Sequence, residues 1–148
     1  MDERFCYYLR VRYCECDMQK VVFNAHYGNY VGLAANEFLR SLSAVENLMD
    51  GHLDYQLVKQ TIQWRAPARF DQVLGISVSV NQLGRTSFTI GTDIRIAGEE
   101  HIIAAAQTVR VMLDAQTMTK LPIPDDLRLA MKRGAPGVVV DHAGYLPR

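Results

Sequence analysis

The sequence predicts an α+β fold in which one long helix precedes an antiparallel sheet, and three observations support this class. An amphipathic pattern with helical spacing covers residues 27–42. Four stretches rich in β-branched residues follow it. Hairpin-type loops at residues 81–85 and 97–100 separate the last three of these stretches. We therefore expect these three strands to form an antiparallel meander with the helix packed across one face.

The N-terminal segment predicts a strand over residues 5–13. Apolar or aromatic side chains occupy its odd positions, while Tyr8, Arg10 and Arg12 occupy even ones, which is the period of a half-buried strand. We expect the odd positions to face the core. They are Phe5, Tyr7, Leu9, Val11 and Tyr13.

The helix predicted over residues 27–42 has an apolar face at three- and four-residue spacings. Asn24 precedes it and is a residue type that caps helix N-termini. Gly28 and Gly32 each weaken a helix by about 1 kcal/mol relative to Ala, which indicates close packing against a sheet. A second helical turn and a loop are expected over residues 41–51. The apolar face comprises Tyr30, Val31, Ala34, Ala35, Phe38 and Leu42.

The strand-like stretches lie near residues 55–64, 73–83, 86–96 and 102–113. Pro122 and Pro124 open a short helix predicted over residues 125–133. We expect residues 1–133 to form a single domain, because 148 residues leave little room for a second one. Residues 134–148 are expected to form a mobile tail.

The composition excludes some classes of function. Acidic and basic residues number 16 each, which argues against the broad basic surface of non-specific nucleic-acid binding. The N-terminus carries charges and lacks a long apolar run, so neither a signal peptide nor a membrane span is expected. Cys6, Cys14 and Cys16 have no spacing typical of a zinc site and fit a reducing compartment. We expect a cytoplasmic protein.

Asp17 is the leading candidate for chemistry. It lies some ten residues before the predicted helix, whose N-terminal N–H groups and positive dipole end can polarise a carbonyl oxygen. A carboxylate there would attack a carbonyl carbon as a nucleophile or deprotonate water as a base, and the sequence leaves both mechanisms open. The alternative is an aspartate that only begins a turn.

Three motifs resemble one known family. They are Glu15-Cys16-Asp17 with the following Val21-Val22-Phe23, then residues 64–71 (WRAPARFD), then residues 84–88 (GRTSF). Together they resemble the 4-hydroxybenzoyl-CoA thioesterase-like branch of the hotdog-fold acyl-CoA thioesterases over roughly residues 5–128.

The resemblance implies a hotdog fold, a curved antiparallel β-sheet wrapped around a long central helix. It also implies a homodimer formed edge to edge, often a dimer of dimers or homotetramer, with active sites at the subunit interface. The implied substrate is an acyl-CoA and the implied catalytic group is Asp17. No metal or redox cofactor is expected, because coenzyme A is part of the substrate.

Further candidate residues surround Asp17. Asn24 and His26 flank the helix start and would orient water or bind the thioester oxygen. The backbone N–H groups near Tyr27 and Gly28 would supply the oxyanion site. Glu15, two residues before Asp17, would point the same way on a continuous strand, and the two carboxylates would raise each other's pKa.

Arginines are the candidate ligands for the phosphates of coenzyme A. They are Arg65, Arg69 and Arg85, and each is equally interpretable as a solvated side chain or a partner of Asp71.

The chain departs from the usual pattern of the family it resembles at four positions. Lys20 stands where relatives usually have Gly, and would be strained at a positive φ. Asn24 replaces a frequent His, and Gly32 and Ala35 replace an acidic residue and an Arg, which argues against a base carried by the helix. Two rival functions stay open: a non-catalytic hotdog module that binds acyl-CoA or acyl carrier protein, and a dehydratase with His26 as its base.

Overall fold

A computed structural model describes residues 3–42 and 52–148. Six strands form one sheet in the order β2-β5-β4-β3-β1-β6. Neighbouring strands are antiparallel except β1 and β6, which are parallel. The elements along the chain are β1 (Phe5–Arg10), α1 (His26–Arg40), β2 (Leu53–Trp64), β3 (Val73–Leu83), β4 (Ser87–Ile96), β5 (Ala104–Asp114), α2 (Asp125–Arg133) and β6 (Val139–Asp141). The predicted α+β class and antiparallel meander are confirmed.

The core lies between α1 and the sheet. The predicted apolar face of α1 is buried, and the ring of Phe38 meets that of Phe5 edge to face with centroids 5.6 Å apart. The odd positions of β1 are buried as predicted, from Phe5 to Leu9. The helix therefore shields one face of the sheet from solvent. Its N-terminus lies near the end of β2, where the rings of Tyr27 and Trp64 are in contact with centroids 5.9 Å apart.

The first strand is shorter than predicted. It ends at Arg10, and Tyr13–Glu15 form a 3-10 helix in which the Arg12 N–H donates to Glu15 Oε1 at 2.7 Å. Tyr13 is 81% exposed, so its assignment to the core is wrong. In the sequence, apolar and polar residues alternate as far as Tyr13. In the structure, the capping contact between Arg12 and Glu15 has already bent the backbone out of the sheet before that residue.

The start of α1 also differs from the prediction. Ala25 is the N-cap residue and makes no side-chain cap, while the carbonyl of Asn24 accepts the Tyr27 N–H at 3.3 Å. The predicted side-chain cap by Asn24 is therefore wrong. Close packing is confirmed for Gly28, where an added Cβ would lie 3.1 Å from Gln60 Nε2, but not for Gly32, where a Cβ would meet nothing within 4 Å.

Part of the segment predicted to be a tail contributes to the sheet. Val139–Asp141 pair with β1, and the Tyr7 hydroxyl and His142 Nδ1 are 3.0 Å apart. The Asp141 carboxylate accepts backbone N–H groups from Ala143, Tyr145 and Leu146. These contacts fix a large part of residues 134–148 to the domain.

The turn predicted over residues 41–51 lies outside the described residues beyond Leu42. Within residues 3–42 and 52–148, no helix is both long and apolar enough to cross a membrane.

Candidate active site

A small hairpin presents Asp17 just before α1. The Asp17 N–H donates to Val21 O and the Lys20 N–H donates to Asp17 O, both at 2.9 Å. Cys16 and Val22 form an antiparallel bridge beside this turn. Lys20 closes it with φ of 64°, in the left-handed region that glycine adopts freely. Lys20 therefore adopts the positive φ at which the sequence analysis expects strain.

The Asp17 carboxylate lies at the surface of a cavity of about 680 Å³. Its Oδ1 accepts the Gln19 N–H at 2.8 Å, so Asp17 does fix the turn, as the alternative interpretation held. Within the described part of the chain, Oδ2 makes no hydrogen bond and is available to a ligand. The other residues that line the cavity are Tyr13, Cys16, Met18, Lys20 and Phe70.

The Cys16 thiol shares this cavity. Burial raises its pKa, and the nearby carboxylates of Glu15 and Asp17 raise it further. A thiol with a raised pKa stays protonated near neutral pH and is a poor nucleophile. The carboxylate of Asp17 is therefore the better candidate for attack.

Glu15 does not share the orientation of Asp17, because the strand does not persist. It is only 5% exposed and accepts hydrogen bonds from Arg12 Nη2 and the Tyr30 hydroxyl, each at 2.8 Å. Burial alone would raise the pKa of Glu15, but these hydrogen bonds and the Arg12 charge outweigh it and lower that pKa. The expectation that two adjacent carboxylates raise each other's pKa is wrong for Glu15, which instead ties the hairpin to α1.

The N-terminus of α1 offers a smaller set of donors than expected. The Tyr27 N–H already donates to Asn24 O, and the Tyr27 hydroxyl accepts the Ala68 N–H at 3.1 Å. Gly28 is the third helical residue, and an N–H at that position has no carbonyl partner inside its own helix. His26 begins the helix half-buried, with Nδ1 3.4 Å from Asn29 Nδ2.

Gln60 was missed by the sequence analysis. Its Nε2 lies 3.1 Å from the position of a Cβ on Gly28, so its amide lies beside the helix N-terminus. No local pattern marks it, because the approach depends on how β2 lies beside α1.

The three arginines are not brought together. Arg65 and Arg69 lie in the exposed loop between β2 and β3, and Arg69 forms a bridge with Val21 of the hairpin. Arg85 lies beyond the other end of β3, whose eleven residues span roughly 35 Å. Within one chain, Arg85 therefore cannot bind the same phosphate as Arg69.

The sheet packs against one face of α1, and the exposed carboxylate of Asp17 lies in a hairpin that precedes this helix in the chain. A family model described as the thioesterase-like superfamily matches residues 11–131. The chain belongs to this superfamily, and its α+β hotdog fold is the predicted one.

Relatives cover most of the chain. The acyl-CoA thioester hydrolase YbgC of Escherichia coli O6:H1 is 26% identical over 126 residues, which are 84% of this chain and 93% of that protein. A putative esterase of Aquifex aeolicus is 27% identical over 119 residues, 80% of this chain and 91% of its own. The solved structure of the BH1999 gentisyl-coenzyme A thioesterase is 27% identical with a TM-score of 0.76, covering 85% of this chain and 98% of that one.

Proposed function

We propose that this protein hydrolyses the thioester of an acyl-CoA to the free acid and coenzyme A. The observation that carries the proposal is the Asp17 carboxylate, with one oxygen available in a cavity of about 680 Å³ beside the hairpin that precedes α1 in the chain. The similarity to YbgC and to the gentisyl-coenzyme A thioesterase supports the same reaction.

In the proposed reaction the thioester oxygen lies against the N-terminus of α1. The Gly28 N–H would bind the oxyanion that forms when the carbonyl carbon becomes tetrahedral, and the helix dipole would add to this stabilisation. Asn24 and His26, which flank the helix start, would orient the attacking water. The Tyr27 N–H would take part only if it exchanged its bond to Asn24 for one to the substrate.

Asp17 would act in one of two ways. As a nucleophile, Oδ2 forms a bond to the carbonyl carbon, the carbon–sulfur bond breaks, and coenzyme A leaves as a thiolate that takes a proton from solvent. Water then hydrolyses the mixed anhydride. As a general base, Asp17 instead takes a proton from the water whose oxygen bonds to the carbonyl carbon; the carbon–sulfur bond then breaks, and the coenzyme A thiolate takes that proton from Asp17.

Coenzyme A would enter past the loop between β2 and β3. Arg65 and Arg69 are exposed there and would bind its phosphates as charged hydrogen-bond donors. Arg85 would contribute only from a second copy of the chain, because it lies at the far end of β3.

The protein would function as a homodimer or a dimer of dimers. Strand β2 is an edge of the sheet in the described chain, it is twelve residues long, and Leu57 and Val58 on it are exposed. A long edge with apolar side chains is a template for pairing with another strand. Pairing two β2 strands would place the α1 N-termini of both copies beside the shared interface.

Thiol release from a panel of acyl-CoAs, from acetyl to palmitoyl and including benzoyl types, tests the proposal. Asp17→Asn keeps the size of the side chain and an oxygen for the turn, so it should fold like the wild type. We expect it to lose at least about a hundredfold in turnover, the scale of a base or nucleophile. Equal turnover in the two proteins would contradict the assignment.

The engagement of Asp17 Oδ1 in its own turn favours a second candidate, a non-catalytic module that binds acyl-CoA or acyl carrier protein. This candidate predicts that calorimetry detects acyl-CoA binding, and that neither wild type nor Asp17→Asn releases thiol. The dehydratase alternative would instead require His26 as the essential base, so loss of 2-enoyl-CoA hydration in His26→Gln would support it.

A further inference from the structure

The side chain of Arg110 carries a buried positive charge on the face of the sheet that packs against α1. It lies on β5 and is 4% exposed, and its Nη1 donates to the Thr108 hydroxyl. Its guanidinium carbon is 5.9 Å from the centroid of the Tyr55 ring. Within residues 3–42 and 52–148, no carboxylate forms an ion pair with Arg110. Among the described residues its contacts are a hydroxyl and a ring face, and a buried charge without a counter-ion is costly, so the carboxylate of a ligand would be a favourable partner.

The part of β2 opposite Arg110 is exposed on the helix side. In the register of β2 and β5, Leu57 is opposite Arg110 and Gln60 is opposite Thr108. Opposite residues of an antiparallel pair lie on the same face, so Leu57 and Gln60 share the helix side. Both are nevertheless exposed. The helix side of β2 is thus open to a ligand around Leu57 and Gln60.

Across from this exposed part of β2 lies the face of α1 that carries Gly28 and Gly32. Gly28 approaches Gln60, and the Tyr55 hydroxyl donates to Asn36 Oδ1, so both ends of this face meet β2. Gly32 lies midway at a spacing of four and has open space where a Cβ would be. We call this space, between Gly28, Gly32 and Asn36 on one side and Tyr55, Leu57 and Gln60 on the other, the α1–β2 groove.

The groove connects the helix N-terminus with Arg110. The Gly28 N–H and Gln60 lie at one end, level with Thr108, and Arg110 lies two residues further along β5, roughly 7 Å away. An acyl group whose thioester lies at the helix N-terminus would therefore extend along the groove toward the guanidinium. The open space at Gly32 gives it room.

We propose that the preferred acyl group carries a carboxylate at the end remote from the thioester, and that Arg110 binds this carboxylate. The inference rests on the proposed thioesterase function and deepens it. One Nη of Arg110 is bound to Thr108, and its other N–H groups can donate in the paired geometry that fits a carboxylate. The short distance favours the monothioesters of short dicarboxylic acids.

Matched acyl-CoA pairs test the proposal with wild type, Arg110→Met and Arg110→Lys. The pairs are succinyl- and butanoyl-CoA, glutaryl- and pentanoyl-CoA, and adipoyl- and hexanoyl-CoA, whose members differ only in a terminal carboxylate or methyl. We expect wild type to prefer one of the carboxylates by about tenfold or more in kcat/KM, mainly through KM. Arg110→Met should lose this preference, and Arg110→Lys should retain part of it.

A binding measurement separates this inference from the proposed function. Free succinate, glutarate or adipate should raise the Tm of wild type but not of Arg110→Met. Asp17-dependent turnover with no carboxylate preference would leave the thioesterase function standing and overturn the role of Arg110. If no acyl-CoA were hydrolysed, the Tm measurements with the free diacids would test the inference alone. A rise in Tm that is lost in Arg110→Met supports the carboxylate site, and the same Tm response in both proteins overturns it. Loss of oligomeric assembly in Arg110→Met, with unchanged acyl preference, would also overturn it, by assigning Arg110 to a subunit contact.

Discussion

The Tyr30 hydroxyl donates to Glu15 Oε1 at 2.8 Å, joining the interior of α1 to the residue two places before Asp17. Glu15 also accepts the Arg12 N–H at 2.7 Å and the Arg12 guanidinium at 2.8 Å. Next to this carboxylate, the Phe23 N–H donates to the Glu15 carbonyl at 2.9 Å. The hairpin that carries Asp17 is therefore positioned relative to the helix N-terminus by Glu15.

We predict that Glu15 and Tyr30 are energetically coupled. Glu15→Gln should lower the free energy of unfolding by about 1–3 kcal/mol, since it weakens charged hydrogen bonds in a buried site. Tyr30→Phe should cost about 1 kcal/mol, and the double variant should cost less than the sum. Urea unfolding of the four proteins measures this coupling. Tyr27→Phe is the matched control, because its hydroxyl meets Ala68 and its effect should add to that of Glu15→Gln.

The pH dependence of this contribution has a defined sign. The pKa of Glu15 is lowered in the folded protein, while an unfolded glutamate titrates near about 4.3. A lowered pKa gives stability that is fully present above the unfolded value and is lost as the pH falls through the folded value. The difference in unfolding free energy between wild type and Glu15→Gln should be constant from about pH 7 to pH 5 and shrink below about pH 4. A difference that grows on acidification would contradict this view of Glu15.

Elements whose bounds are set by local sequence patterns could be predicted. The surroundings of a side chain could not be predicted where they depend on residues far away in the sequence. The predicted bounds of β3 and α2 match the structure, because alternation and proline signals are local. The spacing of Glu15 predicted a side chain beside Asp17 on one strand face, whereas its position depends on Tyr30, fifteen residues further on. Gln60 and Arg110 reach the helix side of the sheet through pairing of β2 with β5, which no short window contains.

Lys20→Gly should stabilise the protein. The φ of 64° at Lys20 costs a non-glycine residue about 1–2 kcal/mol, and the greater freedom of glycine in the unfolded chain offsets about half of that. We expect a net gain of up to about 1 kcal/mol in unfolding free energy, measured by urea unfolding. Lys20→Ala is the control, because it removes the same charge and keeps the strained φ. Equal stability of the two variants would contradict the predicted gain, and a Lys20→Gly protein less stable than Lys20→Ala by about 0.4–1 kcal/mol would show that the turn carries no strain.

A final prediction concerns assembly through the edge of β2. Val58 is 58% exposed and lies where the pairing of β2 with β5 shifts register, between Leu57 and Lys59. A lysine at an open strand edge opposes pairing with a second edge, because its charge would have to be desolvated. We expect wild type to have the mass of a dimer or of a dimer of dimers by light scattering, and Val58→Lys to dissociate at concentrations where wild type stays assembled.

Val139→Lys is the matched control for this experiment, because Val139 is an exposed valine on β6 at the opposite edge of the sheet. It should leave the mass unchanged. A monomeric wild type, or equal masses for wild type and Val58→Lys, would contradict assembly through β2. If assembly completes the active site, thiol release by Val58→Lys should recover as its concentration rises, whereas a variant with a damaged site would stay slow at every concentration.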